Sequence, residues 1–233
     1  MDMKKSYVAT VTAVAVAFVA AVGVCIRALF APKTVFSASQ TELRVVLDAG
    51  HGGIDGGVTG VTTGIKESEL NLTITLKMKE VFEDAGFVVT LTRKTGAGLY
   101  GAPVKGFKKR DMQKRKEIIE ETNPALVLSV HQNFYPSKTP RGAQVFYGHD
   151  KAGKTLADNL QKTLIDTLNP GSNRSIKKAK GVYLMEHLTC TAVLIECGFL
   201  SNPQEDSLLQ TKEYQQRINC VIAGTLSQFL TDS

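Results

Sequence analysis

The residues Leu47-Asp48-Ala49-Gly50-His51-Gly52-Gly53 join a short apolar segment to a glycine-rich loop that carries one histidine. The apolar segment 44–48 predicts a buried strand. The glycines after it allow sharp turns and a close approach of the backbone to a ligand. Imidazole is the commonest protein ligand of metals and a frequent proton carrier. This stretch therefore predicts a strand that delivers a functional histidine to the edge of a sheet.

Two further apolar segments end in polar side chains in the same way. The run 126–130 leads to His131, and the run 192–195 leads to Glu196. In open α/β sheets, ligands bind outside the carboxyl ends of the strands. The three strand ends therefore predict a single site.

Strand and helix patterns alternate along the chain. Alternation of this kind predicts an α/β fold of three layers, with a mostly parallel six-stranded sheet flanked by helices. Strands are expected near 44–48, 87–92, 125–130, 143–147, 181–185 and 192–197. Helices are expected at 67–85, 108–121, along the leucine stripe 156–168 and at 204–230. Gly86 is expected to end the first helix.

The size and charge of the chain limit the classes of protein to which it can belong. The chain has 233 residues and a net charge of +6, with no helix-turn-helix, zinc-finger or ribonucleoprotein motif, so nucleic acid is not an expected partner. About two hundred residues form a core without disulfides. Cys190, Cys197 and Cys220 lack dense spacing and any Cys-x-x-Cys pair, which favours buried free thiols.

The N-terminus resembles a membrane-directing segment. Lys4 and Lys5 precede an apolar run over 8–26, which as a helix would span about 28 Å. It is either an uncleaved anchor or a cleaved signal, and both place the rest of the chain outside the cytoplasm. We expect residues 1–31 to form this segment, 32–42 a linker and 43–233 the catalytic domain.

Glu67 opens the first predicted helix. A carboxylate at that position is favoured by the helix dipole whatever its function. Together with His51 and His131, however, it completes two imidazoles and a carboxylate, a recurrent set of catalytic zinc ligands. Spacing alone leaves both interpretations open.

Four segments together carry a family resemblance, in order and over about 44–230. They resemble the motifs of the zinc-dependent N-acetylmuramoyl-L-alanine amidases of the amidase-3 type. The segments are Leu47 to Gly57, Glu67-Ser68-Glu69-Leu70-Asn71-Leu72, Ser129-Val130-His131-Gln132-Asn133, and Leu194 to Pro203.

The resemblance implies a zinc exopeptidase-like amidase fold and one Zn²⁺ held by His51, Glu67 and His131. It implies Glu196 as the catalytic carboxylate. The substrate would be peptidoglycan, cleaved at the amide between the lactyl group of muramic acid and L-Ala of the stem peptide. Candidate supporting residues are Asp48 and Asn133, which either orient the ligands or make ordinary loop hydrogen bonds, and Arg93, whose role the sequence does not assign.

The one-domain build and Tyr183-Leu184-Met185 resemble the sporulation members of this family most. This implies a role in spore cortex maturation, with muramic-δ-lactam formation needed for germination, in the intermembrane space of the forespore. We see neither a wall-binding repeat nor an inserted helix that would plug the site. An accessory envelope protein that docks on the domain and orders the metal loops is therefore expected.

Two other functions are weighed against this one: a zinc exopeptidase, and a wall-binding domain without catalysis. The former commonly needs a second metal set, which the sequence does not show. A Cys–His hydrolase is disfavoured, because strand alternation turns Cys197 away from Glu196.

Several residues depart from the family pattern or lie outside the motifs. Ala49 and Cys190-Thr191 replace prolines, while Gln132 and Phe134 replace small residues and are predicted to reshape the substrate rim. His149 and His187 are expected to be surface or structural residues. The basic segment of Arg174, Lys177, Lys178 and Lys180 is either solvated or a contact for anionic glycan carboxylates.

Overall fold

A computed structural model describes residues 43–231. Six strands form one sheet in the order β2-β1-β3-β6-β4-β5. Their bounds are β1 Arg44–Ala49, β2 Val88–Leu91, β3 Leu126–Asn133, β4 Gln144–Tyr147, β5 Lys177–Lys178 and β6 Thr191–Phe199.

Helices cover both faces of the sheet, so the three predicted layers are confirmed. The helices are α1 Glu67–Asp84, α2 Phe107–Thr122, α3 Lys151–Leu168, α4 Tyr183–His187, α5 Pro203–Leu209 and α6 Lys212–Thr231. The larger core lies under α1, α3, α5 and α6, and a smaller one lies under α2 and α4.

The four strands β2, β1, β3 and β6 are parallel, and their carboxyl ends lie at one edge. Within that edge, His131 of β3 is paired with Glu196 of β6. The strand β4 runs antiparallel to β6, and β5 is parallel to β4. The sheet is therefore mixed. The connection from β3 to β4 contains no helix. Because a strand parallel to β3 would need a longer crossover connection, β4 runs in the opposite direction to β3 and β6.

The predicted strand at 181–185 is wrong. The strand in this part of the chain is β5, Lys177–Lys178, and residues 183–187 form the short helix α4. Leu184 and Met185 are both buried in one core. Adjacent residues share a face in a helix, whereas they point to opposite faces in a strand.

The helix predicted over 204–230 is two helices, with a break at Gln210 and Thr211. Thr211 Oγ1 accepts a hydrogen bond from Tyr214 N at 3.3 Å, as a helix N-cap does. The predicted end of α1 is confirmed, since Gly86 follows the C-cap Ala85 with a left-handed φ of 91°.

The cysteines were predicted to be free thiols and to be buried. The first prediction is confirmed, and the second is confirmed only in part. All three cysteines of the described segment are free, and Cys197 is buried, Cys190 half-buried and Cys220 exposed. The predicted N-terminal segment 1–31 and linker 32–42 lie outside residues 43–231. Across residues 43–231, none of the helices has the length and apolar character needed to cross a membrane.

Candidate active site

Three side chains that could bind a metal meet at the carboxyl edge of the sheet. Glu67 is the first residue of α1, and its Oε2 lies 3.2 Å from His51 Nε2. Its Oε1 lies 3.0 Å from His131 Nδ1, near the end of β3. One donor atom from each residue falls within 4.8 Å of the others. The structure thus brings together the three residues that the sequence singles out as metal ligands.

Local backbone geometry makes room for this cluster. His51 adopts the left-handed conformation (φ 61°), which is uncommon outside glycine and recurs at functional sites. A Cβ on Gly50 would collide with the His131 imidazole, and a Cβ on Gly57 would collide with the Glu67 carboxylate. The two glycines therefore allow the backbone to lie directly against the side chains.

Glu67 is buried and ionised. Burial raises the pKa of its carboxyl, but the hydrogen bonds and charges of His131 and His51 outweigh burial and hold the pKa well below its usual range. The backbone amides of Val58 and Gln132 also donate to the carboxylate, at 3.1 and 3.2 Å. This carboxylate is therefore fixed as an anion between two imidazoles.

Asp55 lies behind His51, with its Oδ2 3.1 Å from His51 Nδ1. Burial lowers the pKa of His51, but Glu67 and Asp55 more than offset it and raise that pKa overall. A carboxylate on the second ring nitrogen fixes the tautomer and direction of a metal-binding histidine. Sequence reasoning missed this role, although Asp55 stands in the same glycine-rich loop, four residues after His51.

Glu196 lies in β6, at the same edge of the sheet as this cluster. It is paired across the strands with His131, and its Oε2 is buried without a hydrogen-bond partner in the described chain. Burial raises the pKa of Glu196 to about 7. A carboxyl group with a pKa near the working pH can accept and return a proton.

The neighbouring Cys197 belongs to the larger core on the other side of the sheet, as strand alternation predicts. Burial raises the pKa of its thiol to about 12, so the thiol remains protonated at neutral pH. The prediction that Cys197 is not the nucleophile is therefore supported by both position and protonation.

Asp48 is not part of the metal cluster, but it anchors the loop that carries His51. Its carboxylate accepts hydrogen bonds from Thr92 and Ser129, each at 2.7 Å, and from Arg115 at 2.6 Å. Burial favours the protonated form, but Arg115 and the two hydroxyls lower the pKa of Asp48 to about 2. The Asp48 carboxylate therefore forms a buried ion pair with Arg115.

Two buried arginines hold the backbone carbonyls of this loop. Arg93 donates to Ala49 O at 2.8 Å and to Gly50 O at 3.0 Å, and it also reaches Ser68 O at 2.7 Å. Arg115, which sequence reasoning missed, donates to Ala49 O at 2.7 Å and to His51 O at 2.5 Å. Both residues act on the loop rather than on the metal cluster.

The remaining residues that the sequence proposed for the site lie in different environments. Asn133 contributes its backbone carbonyl, which accepts from Leu200 N at 2.9 Å, and its side chain makes no hydrogen bond within residues 43–231. Phe134 is exposed, which fits a place on a rim. The rim prediction for Gln132 is wrong, since it is only 3% exposed and its amide donates to Asn71 inside the protein. Strand β3 continues through Asn133, so Gln132 faces the core.

The extra histidines and basic residues lie apart from the metal cluster. His149 and His187 are exposed, and the His187 ring stacks on Tyr183 with 4.3 Å between ring centroids. The Arg174 guanidinium lies 4.3 Å above the centre of the Phe199 ring. The three lysines of the basic segment are exposed. These positions agree with surface and packing roles.

A cavity of about 270 Å³ opens beside His51 and His131. Much of its wall is apolar and comes from α2 and the segment leading into α4. The apolar residues are Phe107, Met112, Val182 and Leu184. A concave, largely apolar space next to a few polar groups is typical of a substrate site.

Comparison with known proteins identifies the class. The family model described as N-acetylmuramoyl-L-alanine amidase matches residues 45–228. The germination-specific N-acetylmuramoyl-L-alanine amidase of Bacillus subtilis is 32% identical over 196 residues, which cover 81% of this chain and 80% of that protein. The chain therefore belongs to the N-acetylmuramoyl-L-alanine amidase family and is an enzyme of that class.

Solved structures confirm the fold. The CwlD amidase from Clostridioides difficile, determined in complex with the GerS lipoprotein, is similar with a TM-score of 0.78 and 35% identity. That match covers 82% of this chain and 100% of that one. The amidase AmiC2 of Nostoc punctiforme matches with a TM-score of 0.69 and 27% identity, over 81% of this chain and 97% of that one. The family resemblance of the four sequence motifs is thus confirmed.

Proposed function

We propose that this protein is a zinc-dependent amidase that cleaves peptidoglycan between the lactyl group of muramic acid and L-Ala of the stem peptide. The observation that carries the proposal is the cluster of His51, Glu67 and His131 at the same sheet edge as Glu196, whose Oε2 is buried. A zinc exopeptidase commonly needs a second metal set, and residues 43–231 hold no further group of three potential ligands besides His51, Glu67 and His131. The family membership also favours an active amidase over a non-catalytic wall-binding domain.

The donor set fits zinc. Two imidazoles and a carboxylate are a common catalytic zinc set. One donor atom from each of His51, Glu67 and His131 lies within 4.8 Å of the others, so these three residues would hold the ion. When bound, zinc supplies Lewis-acid chemistry: it makes water more acidic and polarises a carbonyl group.

Glu196 is the group that moves the proton. Its Oε2 is buried and has no hydrogen-bond partner in the described part of the chain, and its pKa is about 7. Both features suit a base that takes a proton from the attacking water. The same carboxyl then returns the proton to the nitrogen of L-Ala, so that the amine leaves neutral. His51, Glu67 and His131 hold the metal and take no part in this transfer.

The experiment is digestion of purified peptidoglycan with the full-length protein, with detection of stem peptides that carry a free L-Ala amino group. We expect release to stop in EDTA and to return when zinc is added. Release that continues unchanged in EDTA would contradict the metal mechanism. Failure of the zinc-loaded protein to release any stem peptide would contradict the amidase assignment.

The proposed biological role is spore cortex maturation, in which removal of stem peptides precedes muramic-δ-lactam formation. Support comes from the similarity to the germination-specific amidase of Bacillus subtilis and to CwlD of Clostridioides difficile. The test is cortex composition in a spore former that lacks its own amidase of this type. We expect this chain to restore muramic-δ-lactam and germination, whereas the Glu196→Gln variant should restore neither.

The proposed location is outside the cytoplasm, through an N-terminal anchor or signal segment, and in a spore former between the two forespore membranes. An accessory envelope protein is also proposed as a partner. The solved CwlD structure contains the GerS lipoprotein, which supports a partner of that kind here. Addition of envelope extract should raise the activity or zinc affinity of the purified protein; no change in either would contradict a partner.

A further inference from the structure

Two buried amides lie directly behind the candidate metal site. Asn71 Nδ2 donates to Glu67 Oε1 at 3.3 Å and to Gly50 O at 3.2 Å. Gln132 Nε2 donates in turn to Asn71 Oδ1 at 3.2 Å. Asn71 is fully buried and Gln132 is 3% exposed, so bulk solvent does not replace a hydrogen bond that either one loses.

The direction of both amides is dictated by their partners. The Glu67 carboxylate and the Gly50 carbonyl only accept hydrogen bonds, so the Asn71 atom that faces them is the NH₂ group. The oxygen of Asn71 then faces Gln132, which has to present its own NH₂ group. Reversing the Asn71 amide would place its oxygen against two acceptors.

The oxygen and the nitrogen of the Gln132 amide differ in their hydrogen bonding. Its Oε1 is buried and has no hydrogen-bond partner among residues 43–231. The amide nitrogen donates to Asn71, and the side chain also interacts with the Cys197 thiol. An alanine at position 132 has no donor and would leave Asn71 Oδ1 buried and unpaired.

Asn71 also connects the three segments that carry the candidate ligands. Gly50 directly precedes His51, Glu67 lies one helical turn before Asn71 on α1, and Gln132 directly follows His131. We propose that Gln132 is a positioning residue for the metal site, which holds Asn71 in the orientation that fixes Glu67. This inference rests on the proposed zinc site.

The test is a double-mutant cycle on the zinc dissociation constant, measured on the full chain by competition with a chromophoric chelator. The proteins are the wild type, Gln132→Met, Asn71→Ala and the double variant. Loss of groups behind a metal ligand typically weakens metal binding 10–100-fold, so we expect about a tenfold loss for Gln132→Met. In the Asn71→Ala background, the same change should alter the constant less than about twofold, because Gln132 acts through Asn71.

A matched control separates positioning from general stability. Gln161 is another buried glutamine, which accepts from Val145 N at 2.9 Å and donates to Ala143 O at 3.1 Å. Gln161→Met should lower the unfolding temperature of the metal-free protein but leave zinc affinity within about twofold of wild type. Gln132→Ala serves as a second variant and should resemble Gln132→Met in zinc affinity.

Zinc affinity within twofold of wild type in both Gln132 variants would overturn the inference. An equal loss in the wild-type and Asn71→Ala backgrounds would overturn it as well. Wild-type protein that takes up no zinc would contradict the proposed metal site itself, and with it this inference.

Discussion

At the scale of single residues, each part of the site has a separable task. Glu67 lies between the two histidines, while Asp55 contacts the far nitrogen of His51. Glu196 is paired with His131 across the strands, while its Oε2 has no hydrogen-bond partner among residues 43–231. In the proposed mechanism, metal binding and proton transfer depend on different carboxylates, so substitutions should separate the two functions.

Glu196→Gln tests the proton-transfer residue. The amide keeps the size of the side chain but is not a base, so we expect normal zinc content and a loss of turnover of about 10²–10⁴-fold. Zinc content by elemental analysis and stem-peptide release are measured on the same sample. Turnover close to that of the wild type would contradict the base assignment.

Asp55→Asn tests the group that orients His51. Removing the charge behind a metal-binding histidine should weaken zinc binding by about tenfold while the protein stays folded. Asp158→Asn is the matched control, since Asp158 lies on the exposed face of α3 and contacts Lys154. Equal zinc affinity in the two variants would show that Asp55 does not support His51.

At the scale of elements, strand ends and loops determine where the ligands lie. The three strand-end side chains were predictable, because buried apolar runs that end in polar residues are visible in the sequence. The contributions of Arg115, Asn71 and Asp55 were not, because they depend on hydrogen bonds between residues whose packing the sequence does not display. The direction of β4 and the break before α6 were missed for a similar reason, since neither changes the pattern of apolar residues.

The buried Asp48–Arg115 pair should make stability depend on acid pH. The pKa of Asp48 is about 2 in the folded chain, against 3.8 for an ordinary aspartate, so the unfolded chain binds more protons between these two pH values. Stability is then fully present above about pH 4 and decreases as pH falls through 4 towards 2, by about 2 kcal/mol in all. Urea unfolding at several pH values measures this slope.

The Asp48→Asn variant is the comparison for that measurement. It cannot ionise, so its stability, although lower throughout, should depend less on pH between 4 and 2 than that of the wild type. The same slope in both proteins would show that other carboxyl groups carry the acid sensitivity.

At the scale of the whole molecule, zinc should stabilise the folded chain. The proposed ligands come from the loop after β1, from α1 and from β3, which meet only after folding, so the ion should bind the native state in preference to the unfolded one. Free zinc at 100 times its dissociation constant adds about 2.7 kcal/mol. Thermal unfolding with zinc and with EDTA should therefore differ by several degrees, and identical curves would contradict a preformed site.

The most direct test of the central claim is the zinc content of the purified protein and of its Glu67→Ala variant. We predict one zinc ion per wild-type chain, and almost none in the variant, together with loss of amide release. Full zinc content in Glu67→Ala, or amide release by wild-type protein that contains no metal, would contradict the account.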